Sequence, residues 1–266
     1  MSPLPDLSLI LPAYNEQARI AATVREAYGY FQSRRLTVEI IVAADGTDGT
    51  REVAAGLCRE VPLLKVLGSS ERRGKGYGIR QAVRQATGRV IGFADADNKT
   101  PITEFDKFWP LLEDGCDAVI GSRGLAESRI ERPQKWYRRW GSRGFRVLLS
   151  ALIGLRHVRD TQCGFKFFQA NIARDLFARQ RIDGYMFDVE ILMLASRAGY
   201  TIKTIPVRWR DDADSRLELF RGNIRNLFDV IRIRFGSYPQ ASQPQGMEAD
   251  VVPIRPVGDF VQREAA

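Results

Sequence analysis

The chain has 266 residues, 44% hydrophobic and 27% charged, with 40 Lys and Arg against 32 Asp and Glu for a formal net charge of +8. That balance excludes a disordered or fibrous chain, and the length favours one large domain with a substantial core. Three cysteines, Cys58, Cys116 and Cys163, without CxxC spacing exclude a disulfide framework and a cysteine zinc site, and point to a reducing compartment.

The first residues, MSPLPDLSLILPAYNE, run through prolines and an acidic residue into a strand-like segment with no basic n-region, so a cytoplasmic protein is expected. Apolar, β-branched runs recur at LSLILP (7–12), TVEIIVAA (37–44), LLKVL (63–67), RVIGFAD (89–95), DAVIGS (117–122) and TIKTIPV (201–207). They are apolar on both faces, as covered parallel strands are. After the first, Ile20, Val24, Ala27 and Phe31 form one helical stripe within 16–34. The alternation predicts an α/β fold: a Rossmann-like, mostly parallel sheet with helices on both faces.

Further along, the charge concentrates. Between Gly121 and Asp160 ten basic residues face three acidic ones, a net of +7, which calls for an anionic partner. Within it, RPQKWYRRWGSRGFRVLLSALIGL (132–155) has the composition of an amphipathic interfacial helix, with Trp136, Tyr137, Trp140 and Phe145 among arginines; a core helix with a solvated basic face is the plainer alternative. Its apolar run, 145–155, is far short of the roughly 20 residues that span a bilayer. The sole histidine, His157, reads as a surface or packed residue. Residues 1–236 are expected to form the domain, and 237–266, rich in Pro, Gln and Ala, a mostly disordered tail.

In doubly wound sheets, ligands bind where strands end. Those segments here are PAYNE (12–16), ADGTDGT (44–50), ERRGKG (71–76), DADN (95–98) and GSR (121–123). Asp95 and Asp97, flanking Ala96, are read as extending from a strand with both carboxylates on one side, a hard oxygen site for Mg²⁺ or Mn²⁺ bridging a diphosphate. The glycines of ERRGKG allow close backbone approach, and Lys75 at a helix start favours phosphate, although the loop is not a Walker A. Asp45 and Asp48 suit a base or ribose. Each motif alone is equally an ordinary turn or helix entry.

In their order, these motifs resemble the nucleotide-sugar transferases of glycosyltransferase family 2, with the GT-A fold and inversion at the anomeric carbon. RDTQCGFKFF (159–168), FDVEIL (187–192), VRW (207–209), DSRL (214–217) and DVIRIRF (229–235) resemble its dolichyl-phosphate β-glucosyltransferase branch, over about residues 7–235. The resemblance implies nucleotide-sugar contacts for Pro12, Ala13, Tyr14, Glu16, Asp45, Lys75, Asp95, Ala96 and Asp97, with Arg216 as a mobile diphosphate ligand and Asp95 and Asp97 holding the metal. It implies acceptor contacts for Ser122 and Arg123; the basic block, read by its charge, offers Arg138 or Arg139 as a further grip on the acceptor phosphate. Two departures stand out: Ala44 replaces the first aspartate of the usual VDDGS and the loop is one residue shorter, and no counterpart to the N-terminal membrane anchor of eukaryotic members is expected.

The implied reaction is transfer of a hexose, glucose from UDP-glucose, to a polyprenyl or dolichyl phosphate, at the inner face of a membrane met peripherally. A phosphate monoester is already largely ionised at neutral pH and needs little base catalysis. If a base is used, Asp160 is the first candidate and Asp188 the second, the plain alternative for Asp160 being a salt bridge to Arg159 or a helix cap. GDP-mannose as donor, or a soluble phosphorylated acceptor, remains open. A basic nucleic-acid-binding module also fits the charge, but DNA binding leaves Asp95 and Asp97 unexplained, so no nucleic acid is expected.

Overall fold

The computed structural model describes residues 4–131, 149, 152–155, 158–210 and 221–239. Chain order is β1 (Leu7–Tyr14), α1 (Ile20–Ser33), β2 (Val38–Asp45), α2 (Thr50–Gly56), β3 (Leu64–Leu67), α3 (Lys75–Gln85), β4 (Val90–Ala94), α4 (Trp109–Glu113) and β5 (Ala118–Ser122). Then follow β6 (Arg129–Ile130), β7 (Phe165–Gln169), α5 (Ala170–Arg179), α6 (Phe187–Arg197), β8 (Ile202–Pro206), β9 (Arg208–Trp209) and α7 (Arg221–Phe235).

Seven strands form one sheet in the order β3-β2-β1-β4-β7-β5-β8. Pairings are parallel except those of β7, which runs antiparallel between β4 and β5. Side chains alternate along each strand, so Leu9 and Leu11 join Val24, Ala27 and Phe31 of α1 on one face, while Ile10 joins Ile79 and Val83 of α3 on the other. Both faces being covered, the strands are apolar along most of their length, with Ser8, Glu39, Ser122 and Lys166 as buried polar exceptions. The sheet, helices on both faces and parallel majority match the expected α/β class.

The β7 strand, FKFFQ, was not anticipated as a strand. It puts Phe165 and Phe167 on the α1 face and Phe168 on the other, and Gly92 of β4 leaves the room Phe167 fills, since a Cβ there would meet its ring at 2.0 Å. The same alternation drives Lys166 into the core on the α6 side. Its ammonium donates to Asp188 Oδ1 and to the Cys163 carbonyl, both at 2.5 Å.

The described chain packs on the core two residues past the expected limit at 236. Tyr238 packs against the core, bonds the buried Glu190 and lies under the Arg181 guanidinium, 5.4 Å from its ring centre. Truncation after Ser237 removes that anchor; truncation after Pro239 keeps it and is expected to leave activity within about two-fold and the melting temperature within about 2 °C. Loss of most activity in the folded shorter chain contradicts this. No helix among the described residues is long and apolar enough to cross a membrane.

Candidate active site

At the end of β1, Asn15 adopts a left-handed φ of 54° and its Oδ1 accepts the Thr47 amide at 3.2 Å, tying PAYNE to the loop after β2. Ala13 is buried and Tyr14 projects outward, with the Arg72 guanidinium 4.3 Å from its ring centre. The Glu16 amide donates to Thr50 Oγ1 at 2.9 Å. Asp45 ends β2 and accepts the Arg73 amide at 2.8 Å, so its carboxylate holds the loop that carries ERRGKG. Asp48 caps locally, accepting the Gln17 and Thr50 amides at 3.0 and 3.1 Å.

The loop enters α3 through Gly74, whose φ of 113° and close approach to the Asp183 carbonyl leave no space for a Cβ. Lys75 then begins the helix and its ammonium reaches Asp95 Oδ1 at 2.6 Å, with the rings of Phe93 and Phe187 each 5.9 Å away. Burial alone lowers the Lys75 pKa, but the charges of Asp95 and Asp188 outweigh it and the net shift is upward. Lys75 is therefore a fixed cation beside the aspartate pair.

The placement of that pair differs from the expectation. β4 stops at Ala94, and residues 95–98 form a turn in which the Asn98 amide bonds the Asp95 carbonyl at 3.1 Å, so strand alternation does not orient the carboxylates. Three contacts shape the turn instead. The Asp95 amide donates to the Gly164 carbonyl at 3.1 Å, Thr23 Oγ1 donates to the Ala96 carbonyl at 2.8 Å, and the Asp97 carboxylate pairs with Lys99 at 3.0 Å. Gly164 is required here, because a Cβ on it would lie 2.1 Å from Asp95 Oδ2.

Behind the turn, Arg123 and Asp160 form a bidentate pair, Nε to Oδ2 at 2.7 Å and Nη2 to Oδ1 at 2.9 Å, and the Arg123 amide adds a third bond at 2.9 Å. The partner is thus Arg123 rather than Arg159. Burial alone raises the Asp160 pKa, but the adjacent guanidinium prevails and holds it at about 2. A carboxylate so acidic and so fully bonded is a poor proton acceptor. Asp188 lies buried against Lys166, its pKa pushed up by burial against the pull of Lys166 and Lys75. The geometry thus argues against both base candidates and favours positioning roles. Ser122 is fully buried, its hydroxyl accepting the Gly124 amide at 3.1 Å, whereas Arg123 is partly exposed with Trp209 5.3 Å from its guanidinium. Burial pushes the Cys163 thiol up to about 11, which leaves it inert.

Arg138, Arg139 and Arg216 lie outside the described residues, as do Trp136, Tyr137, Trp140, Phe145, His157 and the chain beyond 239. The segment bearing Arg216 leaves from Arg210, whose amide bonds the Lys99 carbonyl at 2.9 Å, two residues from Asp97. Two supports, half-buried Arg51 and buried Glu104, escaped the sequence reading. Arg51 Nη1 bonds the carbonyls of Gly46 at 2.8 Å and Ser69 at 2.7 Å, bracing the shortened β2 loop. Glu104 bonds Lys107 and Arg208 at 2.6 Å each, fixing β9 beside the aspartate turn. Neither sits in a motif; only the sheet order brings them there.

As a metal site, the pair supplies hard oxygen donors at a turn with partial exposure, and no group of three or more potential ligands occurs among the described residues. That donor set fits Mg²⁺ or Mn²⁺, which are commonly held by one or two carboxylates together with substrate phosphates.

A mostly parallel sheet carrying acidic and basic groups on its strand-end loops, with a paired-aspartate turn after β4, defines a GT-A nucleotide-sugar glycosyltransferase. The chain belongs to glycosyl transferase family 2, whose profile matches residues 8–177. It is 34% identical over 261 residues to a dolichyl-phosphate beta-glucosyltransferase of Drosophila melanogaster, covering 91% of this chain and 79% of that one. The corresponding human enzyme is 31% identical over 247 residues, covering 88% and 76%. Among solved structures, glucosyl-3-phosphoglycerate synthase from Mycobacterium tuberculosis, in complex with Mn²⁺, UDP and phosphoglyceric acid, aligns with a TM-score of 0.65 at 22% identity, covering 89% and 80%. Mannosyl-3-phosphoglycerate synthase from Rubrobacter xylanophilus aligns with a TM-score of 0.62 at 19% identity, covering 86% and 72%.

Proposed function

We propose that this chain transfers glucose, with inversion, from UDP-glucose to a polyprenyl or dolichyl phosphate, using Mg²⁺ or Mn²⁺ held by Asp95 and Asp97. The observation that carries the reading is the Lys75–Asp95 pair at 2.6 Å, set between the β2 loop and the Asp97 turn, because it puts a fixed cation and two carboxylates where a donor diphosphate would lie. The names of the relatives at 30–34% identity support the sugar and the acceptor class. The complexes of the structurally similar synthase make UDP-glucose and Mn²⁺ the first donor and cation to test. A soluble phosphorylated acceptor is the second reading, favoured by that synthase's complexes with phosphoglyceric acid.

In this mechanism the loops after β1 and β2 seat the nucleotide: Tyr14 and Asp45 border its pocket, and Arg51 keeps the loop closed despite the missing residue. When bound, the divalent cation supplies Lewis-acid neutralisation of the departing diphosphate. Lys75 adds a fixed positive charge and fixes the Asp95 rotamer. Partly exposed Arg123, held by Asp160, presents charge toward an incoming phosphate, which attacks already ionised. The folded catalytic unit is proposed to end just past Tyr238, with the remaining tail dispensable.

Donor choice is read by thermal unfolding. With Mn²⁺ present, UDP at 100 times its Kd should add about 2.7 kcal/mol and raise the melting temperature by roughly 5–10 °C, while GDP at the same concentration gives a smaller shift. A larger shift with GDP contradicts the uridine assignment.

A further inference from the structure

Large apolar side chains are exposed together on α7. Leu227 is 45%, Phe228 63%, Ile231 43% and Phe235 77% exposed, whereas Val230 and Ile233 of the same helix are fully buried and Asp229 nearly so. At ~100° per residue these four fall within one arc of about 100°. Arg234 lies at one edge of the arc, Arg232 and Arg225 at the other, all three exposed. Two properties therefore coincide on one helix: an apolar stripe left exposed, with no partner among the described residues, and guanidinium groups along both its borders, with the only acidic residue of α7 largely buried.

We propose that this outward face of α7 docks on an anionic lipid surface, with the four apolar side chains entering the acyl boundary and the arginines meeting headgroup phosphates. The charge selects this occupant over a second copy of the chain. A two-fold interface on this face would set arginine against arginine, whereas anionic lipid offers the complementary sign to every one of them. Phe228, Arg225, Arg232 and Asp229 also line a groove of about 570 Å³ together with the 181–184 segment, which brings exposed Arg181 and an Asp183 already paired with Arg80. That segment in turn touches the first turn of α3, since the Tyr77 amide bonds the Asp183 carbonyl at 3.2 Å. A surface held by α7 is thus one segment away from Lys75 and would bring a lipid surface close to the site; this last step rests on the proposed function, the docking itself does not.

The test uses the full chain and extruded vesicles of phosphatidylcholine with or without phosphatidylglycerol, with co-sedimentation as the readout. Wild type should bind the anionic vesicles, less at higher salt, and the Phe228→Ser, Phe235→Ser double variant should lose at least ten-fold in partitioning with an unchanged melting temperature, because both rings are exposed. Arg138→Ala, Arg139→Ala, Arg143→Ala serves as the comparison from the basic block. Absence of wild-type binding, or binding indifferent to the phenylalanine pair, overturns the proposal. So does a wild-type dimer that the pair converts to monomer, which assigns the face to a second copy, or binding that emerges only after truncation beyond Pro239, which assigns it to the chain's own tail. Turnover on detergent-dispersed acceptor is measured alongside. Retained turnover with lost vesicle binding in the variant supports the proposal, whereas inactive wild type whose vesicle binding still depends on the pair overturns the transferase reading alone.

Discussion

Asp97→Asn is expected to lower kcat/KM by about 10²–10³-fold or more while the protein stays folded. Charge develops on the leaving diphosphate, and removing one preorganised electrostatic partner from such a site costs that order. An amide keeps the shape of the carboxylate but not its charge, and it is a weak ligand for a hard cation. Stability should fall by no more than about 1–2 kcal/mol, because the interaction lost is the partly buried pair with Lys99, and the amide can still accept from its neighbours. Steady-state kinetics with saturating Mn²⁺, alongside a thermal melt, separates the two effects. Undiminished wild-type turnover in excess chelator contradicts the metal assignment, and a variant that unfolds contradicts the local role given to Asp97.

Asp160→Asn should behave in the opposite way, costing about 2–3 kcal/mol of stability. Arg123 is held by three bonds to that carboxylate, and neutralising one partner of this partly buried pair leaves the guanidinium without its counter-charge. The pH dependence follows. The folded-state pKa of about 2 lies below the usual ~3.9, so the stabilisation of about 2–3 kcal/mol is present above pH 5 and is lost as the pH falls through 4 toward 2. Urea unfolding from pH 3 to 7 should show this slope in wild type and not in the variant. A base role predicts lost turnover at unchanged stability, and that result would restore Asp160 as the proton acceptor.

The legible part of this molecule is the part set by local pattern. Strands β1 to β5 and β8 are apolar runs between polar turns, and Ile20, Val24, Ala27 and Phe31 of α1 are all buried where the helical stripe puts them. The functional loops lie at strand ends because of topology, which is why their order in sequence carried the family. What escaped depends on long-range placement. Nothing local in FKFFQ says that it enters the sheet antiparallel, and so nothing local says that Lys166 must be buried and must find Asp188. The aspartate pair was read by strand alternation, but the chain has already turned at Asp95, held there by Gly164 from a segment about 70 residues away. The choice of Arg123 over adjacent Arg159 as the partner of Asp160 is of the same kind: sequence neighbours compete with spatial ones, and the three-bond geometry at the end of β5 wins.

The most direct measurement of the central claim incubates the purified full chain with UDP-[¹⁴C]glucose, Mn²⁺ and a polyprenyl phosphate, followed by organic extraction and assignment of the anomeric configuration of the product. The account predicts label in the organic phase that depends on divalent cation and on polyprenyl phosphate, that is lost with Asp97→Asn, and that is β-linked. Label that enters the lipid only from GDP-mannose, that stays in the aqueous phase on a soluble phosphorylated acceptor, or that emerges α-linked would contradict it.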